Sequence, residues 1–173
     1  IFSLGHLKLQ CSNFVFLFFF LLYNSEITMD GGCHSGLDCK TGEIVSTQNL
    51  GWKGNAWSTQ TETKGVTFKC TPNHVFGALQ KKGQTTLNQS WQTLDYGLCC
   101  RPGAYVDIFE KGTHKLKIPA NKVDYKKDMG IKITGDRVTY TNGDTVLYTS
   151  SKKISSGEKL HFVANFHDSG AKL

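Results

Sequence analysis

The chain has 173 residues, 39% of them hydrophobic and 20% charged, with a formal net charge of +6. This apolar content suffices for one ordinary core, and no shift in composition divides the chain into two domains. Lysine carries almost all of the positive charge, Arg101 and Arg137 being the only arginines, which argues against the bidentate fork used in base-edge readout and so against a specific nucleic-acid partner.

Taken from the N-terminus, the first pattern is the apolar run FVFLFFFLL at 14–22. It has the length of a secretory h-region and is short for a bilayer-spanning helix. Residues 1–28 therefore read as a signal-peptide-like segment, or as an upstream extension if Met29 is the start. A Cys- and Gly-rich segment follows at 29–42, and the folded domain is expected over 43–173.

Five cysteines remain beyond residue 28: Cys33, Cys39, Cys70, Cys99 and Cys100. Cys33 and Cys39 enclose a Gly-containing, strand-poor loop, which suits a local disulfide. Adjacent strand residues point to opposite faces, so only one of Cys99 and Cys100 faces the core, and Cys70 is expected to pair with one of them. The other is left free, paired with Cys11, or paired between chains. No C-x2-C spacing for zinc is present, so the set reads as structural disulfides of an oxidising compartment. The sequon at Asn88 agrees with a secreted chain.

Strand-like runs then recur at 43–47, 66–70, 75–79, 96–100, 104–110, 115–118, 131–134, 138–141, 145–149, 160–164 and 170–173. No sustained helical periodicity appears after residue 28. Alternation is clearest where Ile131 and Ile133, Val138 and Tyr140, and Val146 and Tyr148 each share a face. Asn142-Gly143 is the dipeptide of a type I′ hairpin, and Gly135-Asp136 serves the same purpose one strand earlier. Pro72, Pro102 and Pro119 fall between the runs, where no ladder bond is lost. Short strands at this spacing predict an all-β fold, a sandwich or a barrel.

The order of motifs is GWKGNAW at 51–57, GVTFK at 65–69, LDYGL at 94–98, AYVDIFEKG at 104–112, the hairpins of 130–149, and FHDSGAKL at 166–173. It resembles the concanavalin-like lectin and glucanase type of β-sandwich found in extracellular and cell-surface proteins, over about residues 43 to 173. The resemblance implies an all-β antiparallel sandwich of jelly-roll type. It leaves function open, since such sandwiches serve as lectins, enzymes and adhesion modules.

For catalysis, the Glu-x-Asp-x-x-Glu strand of the hydrolases on this architecture is missing, and GCHSG at 32–36 has the wrong spacing for a nucleophile elbow. His161 and His167 stand six apart with no third ligand at metal spacing, and Asp168 reads as a turn residue, so neither metal nor cofactor is expected. A sugar site needs exposed rings and amide side chains, and the candidates are Trp91, Gln92, Asn88 and Gln89 in a polar loop, with Trp57 as a further ring. Trp52 and Trp57 also fit as plugs at the sheet ends. Lysines crowd into 111–132, and Lys115, Lys117, Lys126 and Lys127 form a solvated face or an anion-binding one. The reading is a secreted, non-catalytic module for a glycan or matrix polymer. The alternative is a self-associating module using the spare cysteine and the lysine face. The closing Ala-Lys-Leu at 171–173 is similar to a peroxisomal address, which is the alternative for location if it is exposed.

Overall fold

The computed structural model describes residues 32–33, 35–40, 43–59, 64–81, 91–155 and 157–173. The expectations for residues 1–31 lie outside these. Thirteen strands are formed among the described residues: β1 (Gly32–Cys33), β2 (Leu37–Lys40), β3 (Glu43–Ser46), β4 (Gly54–Trp57), β5 (Gly65–Phe68), β6 (Val75–Lys81), β7 (Tyr96–Cys100), β8 (Val106–Glu110), β9 (Thr113–Ile118), β10 (Met129–Thr134), β11 (Arg137–Asn142), β12 (Thr145–Lys153) and β13 (Leu160–Phe166). Two single turns of 3-10 helix cover Trp91–Thr93 and Ala120–Lys122.

The strands form a seven-stranded sheet in the order β1-β4-β13-β6-β7-β8-β9, a four-stranded sheet β12-β11-β10-β5, and the pair β2-β3. Every pairing is antiparallel. The core lies between the two larger sheets. Period-two alternation sends Val75, Leu79, Leu98, Ile108, Phe162 and Phe166 inward from one and Val66, Phe68, Ile131, Val138 and Tyr140 from the other. Gly77 makes room for this packing, because a Cβ there would lie 2.2 Å from the Phe68 ring.

The opposite face of the seven-stranded sheet is apolar at its centre as well. Phe76, Ala78, Leu94, Cys99, Phe109 and Val163 form a second buried cluster, with Trp52 and Trp57 packed against it. This explains why β6 and β13 read as nearly continuous apolar runs: both of their faces are covered.

The meander of β10, β11 and β12 forms as expected, but its turns differ in type. Thr134 pairs with Arg137 and Asn142 with Thr145, so the two-residue loops are Gly135-Asp136 and Gly143-Asp144. Only the glycines have positive φ, at 61° and 58°, which is the type II′ pattern. Type I′ geometry occurs instead between β8 and β9, where Lys111 and Gly112 have φ of 49° and 68°. Asn142 stays in the strand because its side chain is used elsewhere: Oδ1 accepts from Asp124 N at 2.7 Å, and Nδ2 donates to Asp124 O at 3.0 Å.

The cysteines pair as Cys33–Cys39 and Cys70–Cys100. The segment closed by the first bridge is not strand-poor, since β2 begins within it and pairs with β3. β1 and β4 pair as well, although neither was expected as a strand. The run at 170–173 is no full strand. It makes one bridge, Val45 to Lys172, and reciprocal backbone bonds between Ile44 and Leu173 of 2.8 and 3.0 Å. Among the described residues no helix is long and apolar enough to cross a membrane.

Candidate functional site

The outer face of the seven-stranded sheet carries the chemistry. Register places Asn55, Asn165, Phe76, Cys99, Asp107 and Lys117 in one cross-strand row. A tight turn lies across the end of this row, closed by a bond from Lys53 N to Leu50 O of 3.0 Å. Its central residues are Gly51 at φ 55° and Trp52 at φ 70°. Left-handed backbone is ordinary for the glycine but costs about 1–3 kcal/mol for a tryptophan. The surroundings hold it there. Leu50 N and Gly51 N both donate to His167 O, at 2.8 and 3.1 Å, and Asn165 Nδ2 donates to Trp52 O at 3.3 Å.

The half-buried indole of Trp52 is ringed by side chains from three strand ends. Its centroid is 5.2 Å from Phe76, 5.0 Å from His167 and 5.7 Å from His74, and the Arg101 guanidinium carbon lies 5.7 Å above it. Such packing fixes one part of the ring and leaves the rest open to a partner.

His74 and His167 are brought together by pairing at the ends of β6 and β13. Phe166 opposes Val75, so the next residues out are neighbours, and His167 N donates to His74 O at 2.9 Å. Asp168 spans the two imidazoles, with Oδ2 2.7 Å from His74 Nδ1 and Oδ1 2.5 Å from His167 Nδ1. It also accepts from His74 N at 3.2 Å. Burial disfavours the charge on Asp168, but the hydrogen bonds from His167 and His74 outweigh it and hold the carboxyl below its usual range. Asp168 is thus more than a turn residue.

Beside this group Asp107 holds an arginine and a histidine side chain. Arg101 Nε lies 3.0 Å from its Oδ2, and His114 Nε2 lies 3.1 Å from its Oδ1. Lys117 Nζ sits 3.9 Å above the Tyr105 ring. The face therefore combines an aromatic plate, three imidazoles, a guanidinium and carboxylates in alternation, a set suited to stacking against a ring and pairing with hydroxyl or anionic groups.

The residues expected to bind from the sequence are distributed differently. Trp57 is half-buried against the outer cluster. Gln92 is exposed in the 3-10 turn, while the side chain of Trp91 and residues Asn88 and Gln89 lie outside the described residues. That turn borders the same face, since Gln80 Nε2 donates to Thr93 O at 3.3 Å and Leu94 belongs to the outer cluster. Lys115 and Lys117 stand on β9 at the sheet edge, and Lys126 and Lys127 in the loop before β10. Cys99 is the free cysteine among the described residues. It is fully buried, and burial pushes its thiol well above the ordinary range. A linkage between chains through Cys99 is therefore overturned, because the thiol has no access to a second molecule.

Sequence reasoning did not select Trp52, His74, Arg101, Asp107 or His114. The one available signal was GW at 51–52, a turn glycine beside a large ring. His74 and Asp168 are separated by 94 positions and share no local motif.

No family model matches the sequence, and no curated protein matches it. Among solved structures, the chain is similar to the TRIM65 PSpry domain at 10% identity and a TM-score of 0.55, over 81% of each chain. It is equally similar to the metal-free form of the Emp46p carbohydrate recognition domain, at 10% identity and a TM-score of 0.55, over 82% of this chain and 83% of that one. At such identities the likeness is one of fold, and the fold is a concanavalin-like antiparallel sandwich.

Proposed function

We propose that the chain is a non-catalytic extracellular module that binds carbohydrate on the outer face of the seven-stranded sheet, with a sugar ring stacked on Trp52. The observation that carries this reading is the left-handed backbone of Trp52. A tryptophan held in that strained state by three hydrogen bonds, with the Arg101 guanidinium and the His74 and His167 imidazoles around its half-buried ring, has a pre-set contact surface. Arg101, Asp107, His114 and His167 supply donors and acceptors for hydroxyls, and the exposed Gln92 extends the face at its far rim. The fold shared with the Emp46p carbohydrate recognition domain supports the reading. The two disulfides support an oxidising compartment. The backbone pairing of Leu173 with Ile44 weighs against a free C-terminal address.

The test is a glycan array of neutral and sulfated sugars, probed with the oxidised full chain at two salt concentrations. Selective binding that survives high salt is expected. Binding confined to sulfated sugars and lost with salt would assign the ligand to Lys115, Lys117, Lys126 and Lys127 instead. Silence would contradict the reading.

A further inference from the structure

We propose that His74, His167 and Asp168 form a binding site for a divalent transition metal of the zinc type, next to the Trp52 ring and sharing His167 with the face assigned to sugar. Two imidazoles and one carboxylate are a donor set preferred by zinc, cobalt and nickel. One donor atom from each residue lies within 4.8 Å of the others. A tetrahedral ion with bonds of about 2.0–2.1 Å sets its ligands roughly 3.3 Å apart, so side-chain rotations close the site without moving the backbone.

The backbone is already fixed. His74 directly precedes β6 and His167 directly follows β13, two central strands of the seven-stranded sheet, and the bond from His167 N to His74 O locks them as cross-strand neighbours. Sites on such paired strands are held more precisely than sites on loops. Gly51 N and Leu50 N clamp His167 from one side, and the Trp52 ring walls both imidazoles. The side chains are 29%, 32% and 29% exposed for His74, His167 and Asp168, so an ion has a path in and a fourth coordination position faces solvent. His114 and Asp107 provide a comparison, since they present one imidazole and one carboxylate with Arg101 beside them.

The experiment is calorimetric titration of the full chain with ZnCl2, with cobalt chloride and its visible absorption bands as a second probe. Expected is a single tight site with a tetrahedral cobalt spectrum, weakened about 10- to 100-fold or more by His74→Gln and by His167→Gln. His114→Gln is expected to leave it unchanged. Because a substituted chain can misfold, the unsubstituted chain is also treated with diethyl pyrocarbonate and mapped by mass spectrometry. Zinc should protect His74 and His167 and leave His114 open to modification. Weak binding at several sites, equal binding in all variants, or no protection of the two histidines would overturn the proposal.

Discussion

The side-chain amide of Asn165 donates to the backbone carbonyl of Trp52 across 3.3 Å, tying the tip of a tight turn to the middle of the outer sheet face. Asn165 is almost fully buried, so the turn is anchored from below and the indole is aimed by a residue far away in sequence. Asn165→Ala removes that anchor without touching the exposed ring. It is expected to cost about 1 kcal/mol of stability and to weaken sugar binding by a larger factor than any uncharged substitution on the four-stranded sheet, as read by calorimetry on matched samples.

Alkaline pH should destabilise the fold through buried acids. Burial pushes Tyr96 and Tyr125 up to about 12, Tyr140 well above its ordinary value, and the Cys99 thiol upward too. A native group that keeps its proton longer than the unfolded chain does contributes full stability below the unfolded value and loses it as pH rises. Stability is therefore expected to fall from about pH 9 towards pH 12, with urea midpoints dropping over that window. In the ultraviolet, tyrosinate from Tyr96, Tyr125 and Tyr140 should appear together with unfolding.

The bridge between Cys70 and Cys100 closes a separation of 30 residues. Loop entropy assigns such a closure about 3–4 kcal/mol. The double variant Cys70→Ala, Cys100→Ala should show that loss in denaturant titrations, while Cys99 should remain unlabelled by iodoacetamide until the chain is unfolded. Labelling of Cys99 in the native protein would contradict its burial.

Asn142 fastens the loop before β10, meeting Asp124 through both its amide nitrogen and oxygen and Lys127 O at 3.4 Å. It is 3% exposed, so removing the amide leaves buried backbone groups without partners. Asn142→Ala is expected to cost about 2–3 kcal/mol. Hydrogen exchange should quicken first at residues 124–128.

The meander of β10 to β12 was legible because alternation and turn glycines are local signals, although the turn type depended on Asn142 being drawn into another contact. Strand alternation at Cys99 and Cys100 narrowed the Cys70 bridge to two partners. Cys100 wins because it shares the core face of β7 with Leu98, while Cys99 faces outward. β1, β2 and β4 were missed because they run four residues at most and gain their stability from neighbours distant in sequence. The site was nearly invisible for the same reason: His74, Arg101, Asp107 and Asp168 come from separate strand ends and meet only through sheet register. Trp52 read as a sheet-end plug, and its ring does pack half-buried against the outer cluster, while its left-handed backbone left no local signal beyond the neighbouring Gly51.

The most direct test of the binding face is calorimetric titration of the strongest array glycan into the unsubstituted chain and into Trp52→Ala, with circular dichroism to match their folds. Loss of at least about tenfold in affinity, equivalent to about 1.4 kcal/mol of ring contact, with an unchanged spectrum, is the predicted result. Equal affinity in the two proteins would contradict it and move the site away from Trp52.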